Sequence, residues 1–247
     1  MVAFVQTQAA GVVAEEQASS GVGLFPFSWR KRAFAYAMEH DMDTYESAIE
    51  PVKSALFSAH LKALDVTSST LLEIGLGTGA NFAYYPRGLH VLAVEPNVHM
   101  RQYAEPRARR HAIHLTYLAT TAENLQIVPD ASVDAVVSTL TLCSVDDPRA
   151  VLNQIARVLK PGGRFLFIEH VCADPQQHPW MNLAQRALDP LQQIVADGCH
   201  LCRGTGDLIA AERCFARVDV SRFQVPGSAL GLISPHVSGV AYKKAEG

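Results

Sequence analysis

The residues best equipped for chemistry fall in one short run, Leu71-Leu72-Glu73-Ile74-Gly75-Leu76-Gly77-Thr78-Gly79-Ala80-Asn81-Phe82. An apolar stretch leads into glycines at alternate positions and then into a helical pattern. Such a turn lets backbone approach a ligand closely at the carboxyl end of a strand. Glu95 stands at the end of the next apolar run, where folds of this kind place an acid on ribose hydroxyls. The spacing of Gly75, Gly77 and Ala80 also satisfies a dinucleotide pattern, so the glycines alone leave the ligand open. Charge separates the two readings. A pyrophosphate on this turn would meet the Glu73 carboxylate, whereas an ammonium or sulfonium would be drawn to it. A cationic nucleoside is the expected ligand.

The surrounding pattern supplies the elements such a site needs. Apolar runs at 71–74, 91–94, 113–118, 133–140 and 164–171 read as buried strands, with helical patterns at 80–85, 98–110, 122–127 and 148–159 between them. A helical stretch near 180–195 precedes two further strand candidates, 216–223 and 236–243. The expected fold is α/β, a Rossmann-like, mostly parallel seven-stranded sheet with helices on both faces and an N-terminal helical cap. Turns are expected at Asp130–Asp134, entering the fourth strand, and at Leu159–Gly163, entering the fifth. The cap, 25–66, carries apolar residues at helical spacing (Trp29, Phe34, Met38, Tyr45, Ile49, Val52, Leu56), and Pro51 is expected to break it or start a helix. The core would then span 67–247, the whole 25–247 forming one domain, with a disordered Ala/Ser/Gly-rich segment at 1–24.

Composition narrows the class. The chain has 247 residues, a formal net charge of −3 and 49% hydrophobic residues, which suits a globular core and disfavours a nucleic-acid partner. Arg101, Arg107, Arg109 and Arg110 read as the solvated face of a helix. Five scattered cysteines do not suggest a disulfide framework, so a cytoplasmic, reducing location is expected. No window reaches the ~18 apolar residues of a membrane span, and peripheral membrane contact stays open. Oligomeric state is not legible.

Taken in order, the glycine turn with Glu73, the acid Glu95, the Asp130–Asp134 turn and the Leu159–Gly163 turn resemble the class I S-adenosylmethionine-dependent methyltransferases over about residues 70–172. The resemblance implies S-adenosylmethionine as cofactor. It places Glu73, Gly75, Gly77 and Gly79 around the methionine part, Glu95 on the ribose, and Pro96 and Asn97 beside the adenosine. Thr121, Ala122 and Glu123 fall where the family contacts adenine, although Asp is frequent at the position of Thr121. Ser138, Thr139 and Leu140 end the strand that faces the transferred methyl.

Further phrases resemble the narrower methyltransferase-like alkyl thiol S-methyltransferase family: Gly77–Phe82 with Tyr85-Pro86, Thr139–Val145, Ile168–Val171, Asp197–Cys199 and Pro235–Gly239. They imply a small, largely apolar methyl acceptor, foremost a thiol. C- or O-methylation of a quinone, phenol or lipid is the alternative, and an inactive cofactor-binding interaction module is a third. His170 is the base named first, against a histidine merely bonded to backbone, with Glu169 to orient it. Cys143 stands near the expected acceptor, with a small buried residue as the plainer reading. Asp197 and His236 match the narrower phrases and would line the acceptor pocket or serve structure. Trp29 and Trp180 would wall the pocket or pack helices. Cys199-His-Leu-Cys202 is one metal-like pair without a second, so no metal is expected.

Overall fold

A computed structural model describes residues 27–226 and 231–245; the expected disorder of 1–24 lies outside them. Two helices lead, α1 (Phe27–His40) and α2 (Asp43–Leu61). Pro51 sits inside α2, so the expected break or start does not occur. Both Pro51 and Ser47, whose carbonyl Pro51 cannot serve, are exposed, and water can take the orphaned acceptor.

The core alternates as anticipated. β1 (Thr70–Ile74), β2 (His90–Val94), β3 (His114–Leu118), β4 (Val133–Thr139) and β5 (Leu159–His170) pair in parallel. Between them lie a 3-10 turn (Ala80–Tyr84), a second (Val98–Met100) running into α3 (Arg101–His111), and α4 (Pro148–Val158). Then come α5 (Pro179–Val195), α6 (Thr205–Ala210), β6 (Phe215–Gln224) and β7 (Pro235–Lys243). The sheet order is β3-β2-β1-β4-β5-β7-β6, with β7 antiparallel to both its neighbours. Strand order reverses between β1 and β4, so loops on opposite helix layers diverge at their carboxyl ends and open a crevice.

Local chemistry explains the boundaries. Asp147 caps α4, accepting the N–H groups of Arg149 and Ala150, with Pro148 in the first turn. β1 is buried along its whole length because helices cover both faces, which is why its run is continuously apolar around Glu73. Two apolar cores result, one around Leu72, Val136, Ile155 and Phe167, the other around Phe57, Leu71, Phe82 and Val91.

Four expectations change. The segment 122–127 forms turns, not a helix. Its buried residues Ala122 and Leu125, with Val128 just beyond, recur every third position, a pattern that successive turns meet as well as a helix does. Leu159–Gly163 is the opening of β5, where a register shift against β4 and a left-handed Gly162 (φ 74°) absorb the bend. Cys172 and Cys202 form a disulfide, joining the segment after β5 to the loop before α6, where no bridge was anticipated. Trp29 and Trp180 do not wall the crevice; both lie outside its lining and are largely exposed, 62% and 82%.

Gly239 on β7 faces Phe167 and the β6 backbone so closely that an added Cβ would stand 2.6 Å from the Phe167 ring and against the Asp219 carbonyl oxygen. Gly239→Ala should therefore destabilise the fold by about 1–3 kcal/mol through overpacking. Urea unfolding monitored by circular dichroism checks this; an unchanged midpoint would mean that β6 yields freely.

Candidate active site

The crevice holds a cavity of about 360 Å³ at the carboxyl ends of β1, β2 and β4. Gly75, Leu76, Gly77, Thr78, Ala80 and Asn81 form one wall, and Glu95, Pro96, Thr121, Ala122 and Glu123 form another. Thr139, Leu140, Thr141, Ser144 and Asp197 close the far side, while Phe34, Met38 and Met42 of the cap cover it.

The glycine turn is shaped from both sides. At Gly75 (φ 68°) a Cβ would collide with the Thr141 side chain, whose hydroxyl donates to the Ile74 carbonyl oxygen at 3.0 Å. Gly77 (φ 55°) is different: nothing lies within 4 Å of where its Cβ would be, because that direction is open cavity. Gly79 lies outside the lining; its left-handed φ of 81° starts the 3-10 turn, and a Cβ there would strike Phe82.

Glu95 holds this turn in place. Its Oε2 accepts the Gly77 N–H at 2.9 Å and its Oε1 the Asn97 N–H at 2.8 Å. Burial raises its pKa, and those two donors pull the other way. The remaining lone pairs on a carboxylate at the cavity wall can accept ribose hydroxyls. Asn97 does not line the cavity; its amide donates to the Lys31 carbonyl oxygen of α1 at 2.9 Å.

Glu73 lies just behind the wall. It is buried, and its Oε1 accepts the Asn81 amide at 2.8 Å, while its Oε2 has no hydrogen-bond partner. Burial pushes its carboxyl up to about 7. Asn81 lines the cavity, and its Oδ1 also lacks a partner. The buried Tyr85 hydroxyl lies beside both groups, and an ammonium in the cavity would reach Asn81 Oδ1 directly and Glu73 as the charge behind it. The open cradle at Gly77, the acid Glu95 and this unmet acceptor together fit the nucleoside, amino-acid and cationic parts of S-adenosylmethionine.

Ser138 lies beneath the cavity rather than on it, donating to Glu169 Oε1 at 2.6 Å. Glu169, fully buried at the end of β5, also accepts the N–H groups of Thr141 and Cys143 at 3.3 and 3.4 Å. It thereby fixes the β4 loop, in which Leu140 is left-handed (φ 55°). Of the three catalytic candidates, Asp197 lines the cavity, whereas Cys143 and His170 are buried outside the lining. Burial drives the His170 pKa down, but the Cys199 thiol, the Glu169 carboxylate and the His200 carbonyl outweigh it, and the net direction is up. His236 is also buried outside the lining; Tyr45 of the cap lies 2.7 Å from its Nε2, and burial lowers its pKa to about 4.

Several contributors were not foreseen. Arg107 is not a solvated arginine: it donates to the Thr78 hydroxyl at 2.7 Å and pairs with Glu39 of α1 at 2.9 Å, lining the cavity as it does so. Lys53 is buried on the cavity wall and pairs with Glu46 at 2.6 Å. Asn81 stood within the motif already singled out, and its amide beside three glycines was the available signal. Arg107 and Lys53 carried none, since helical spacing does not say which charged residue turns inward.

Residues 72–167 match a family described as a methyltransferase domain. The chain is 39% identical to thiol S-methyltransferase TMT1B of Rattus norvegicus over 217 residues, covering 86% of this chain and 87% of that one. It is 36% identical to thiol S-methyltransferase TMT1A of Homo sapiens over 223 residues, covering 88% and 89%. Among solved structures, an S-adenosylmethionine-dependent methyltransferase from Thermotoga maritima shares the fold, with a TM-score of 0.60 at 20% identity, covering 88% of this chain and all of that one.

Two outcomes follow from the paired acids. Glu73 must ionise to hold an ammonium, so binding of S-adenosylhomocysteine should weaken as pH falls from about 8 to about 6, by up to about tenfold. Glu73→Gln should flatten that slope in calorimetry; an identical slope would place the titrating group elsewhere. Glu95→Ala should weaken binding by about 1–3 kcal/mol through lost charge-assisted hydrogen bonds, and unchanged affinity would move the ribose elsewhere.

Proposed function

The chain belongs to the thiol S-methyltransferase family, and from that premise we propose that it methylates the sulfur of a small, largely apolar thiol. It is an S-adenosylmethionine-dependent methyltransferase. The observation that carries the reading is the cavity itself: open at Gly77, acidic at Glu95 and unmet at the Asn81 acceptor backed by Glu73. The thiol is favoured because the likeness to thiol S-methyltransferases runs over 217 residues, well beyond the 72–167 methyltransferase core.

When bound, S-adenosylmethionine supplies a methyl group made electrophilic by its sulfonium. The residues bind and orient around it. Glu95 would take the ribose hydroxyls while still bonded to Gly77, and Pro96, Thr121, Ala122 and Glu123 would flank the adenosine. Asn81, backed by Glu73, would receive the ammonium. Thr139, Leu140 and Thr141 would border the methyl. Phe34, Met38 and Met42 exclude water and give an apolar acceptor a dry approach.

Thiol methylation asks little of a base. A free thiol with pKa near ~8.5 is already partly ionised at neutral pH, and holding sulfur in line with the methyl supplies much of the rate. Asp197, presented on a left-handed turn (φ 47°) before Gly198 on the loop that closes the far side, is the carboxylate of the lining that we assign to take the thiol proton. His170 acts behind it as a positioning residue, its ring nitrogen 2.7 Å from the His200 carbonyl oxygen on the same loop.

Labelled S-adenosylmethionine with a panel of thiols, phenols and quinones tests the acceptor. Turnover of thiols is expected; robust turnover of a quinone or phenol with none of any thiol would overturn it. Asp197→Asn should lower turnover most at acidic pH, the deficit shrinking toward the thiol's own pKa. A deficit independent of pH would assign Asp197 to positioning instead.

A further inference from the structure

Behind the far wall of the cavity, three separate segments bring Cys143, His170 and Cys199 together, with their ligand atoms within 4.8 Å of one another. Cys143 follows β4, His170 ends β5, and Cys199 sits on the loop after α5. None of the three lines the cavity. Cys199 Sγ lies 3.7 Å from Cys143 Sγ, and 3.8 and 3.7 Å from His170 Nδ1 and Nε2.

Those separations are informative. Around a tetrahedral zinc ion, with Zn–S about 2.3 Å and Zn–N about 2.0 Å, two sulfurs stand about 3.8 Å apart and a sulfur and a nitrogen about 3.6 Å. The two sulfurs are already at that spacing; Cys199 Sγ is as near Nε2 as Nδ1, so the Cys199 side chain or the His170 ring must turn to bring Nδ1 into line with an ion. His170 Nε2 lies 2.7 Å from the His200 carbonyl oxygen, which can only accept, so the proton belongs on Nε2. Nδ1 keeps its lone pair. A ring N–H held by a backbone carbonyl is the outer-shell support that ligating histidines use.

We propose that Cys143, His170 and Cys199 form a zinc site with one coordination position left for water or a small exogenous ligand. The ion displaces one proton from each thiol to solvent, and two thiolates cancel its double charge. A neutral centre replaces two buried thiols, so no net charge is buried. Among the described residues no fourth His, Cys, Asp or Glu joins the group, which is the pattern of a site with an open position rather than a closed structural one. The ion would clamp the β4 loop, the end of β5 and the loop after α5. Ser144 adjoins Cys143, and Asp197 lies two residues before Cys199, and both line the cavity. The inference is independent of the acceptor's identity.

The full chain, dialysed against zinc and then against metal-free buffer, should retain one zinc per chain by elemental analysis. Cobalt in its place should give the intense near-ultraviolet band of thiolate-to-metal charge transfer. Cys199→Ser and His170→Ala should each weaken zinc binding by about 10–100-fold. Cys214→Ser, a free cysteine outside the group, should leave it unchanged. Should a variant fail to fold, X-ray absorption on the zinc-loaded wild-type chain reads the ligands directly, with two sulfurs and one nitrogen expected. No retained zinc, no charge-transfer band, a shell without sulfur, or full binding by folded Cys199→Ser would each overturn the site.

Discussion

Three carboxylates buried at the carboxyl edge of a parallel sheet set the terms for everything around them. Glu73, Glu95 and Glu169 are 1%, 7% and 0% exposed, and each sits at or just past the end of a strand. A buried charge is costly unless it is paired or fully hydrogen-bonded, so each acid dictates the loop beside it. Glu95 is met by two backbone N–H groups and in return fixes the glycine turn. Glu169 is met by a hydroxyl and two backbone N–H groups and in return fixes the loop after β4. Glu73 alone keeps an oxygen without a partner. The scaffold completes two of its acids with several donors each, whereas the third is met by the Asn81 amide, with the Tyr85 hydroxyl and the Lys53 charge close by.

The same edge explains the cap. Parallel strands direct their loops to one end, and an open crevice there would admit water to both cofactor and acceptor. α1 and α2 cover it, and polar links tie them down, among them links to the glycine turn, to Asn97 and to β7. Arg107 bridges Glu39 to the Thr78 hydroxyl, Asn97 reaches the Lys31 carbonyl oxygen, and Tyr45 meets His236 on β7. The first two end on the glycine turn and on the residue held by Glu95, so cap position and cofactor cradle are mechanically one unit. Apolar packing supplies the bulk of the attachment through Phe57 and Leu61 against the core. The polar links give it register, since each donor must find a particular acceptor.

The sequence by itself determined the strand-and-helix alternation, the glycine turn and the acids at 73 and 95. These signals are local: a buried parallel strand must be continuously apolar, and a close approach to a ligand demands glycine, whatever the rest of the chain does. The strand boundaries at 71–74, 91–94 and 113–118 came within one residue of β1, β2 and β3 for that reason. Only the tertiary structure decided which polar groups turn inward. Arg107 is indistinguishable by spacing from Arg109 and Arg110, and it lies inside because Glu39 and Thr78 happen to face it. The segment 122–127 has a period that a helix and a chain of turns share, and in the fold it forms turns that bring Thr121 to Glu123 onto the cavity. His170, Cys143 and Cys199 are separated by dozens of positions, and their convergence depends on the parallel register of β4 and β5, which no local pattern encodes.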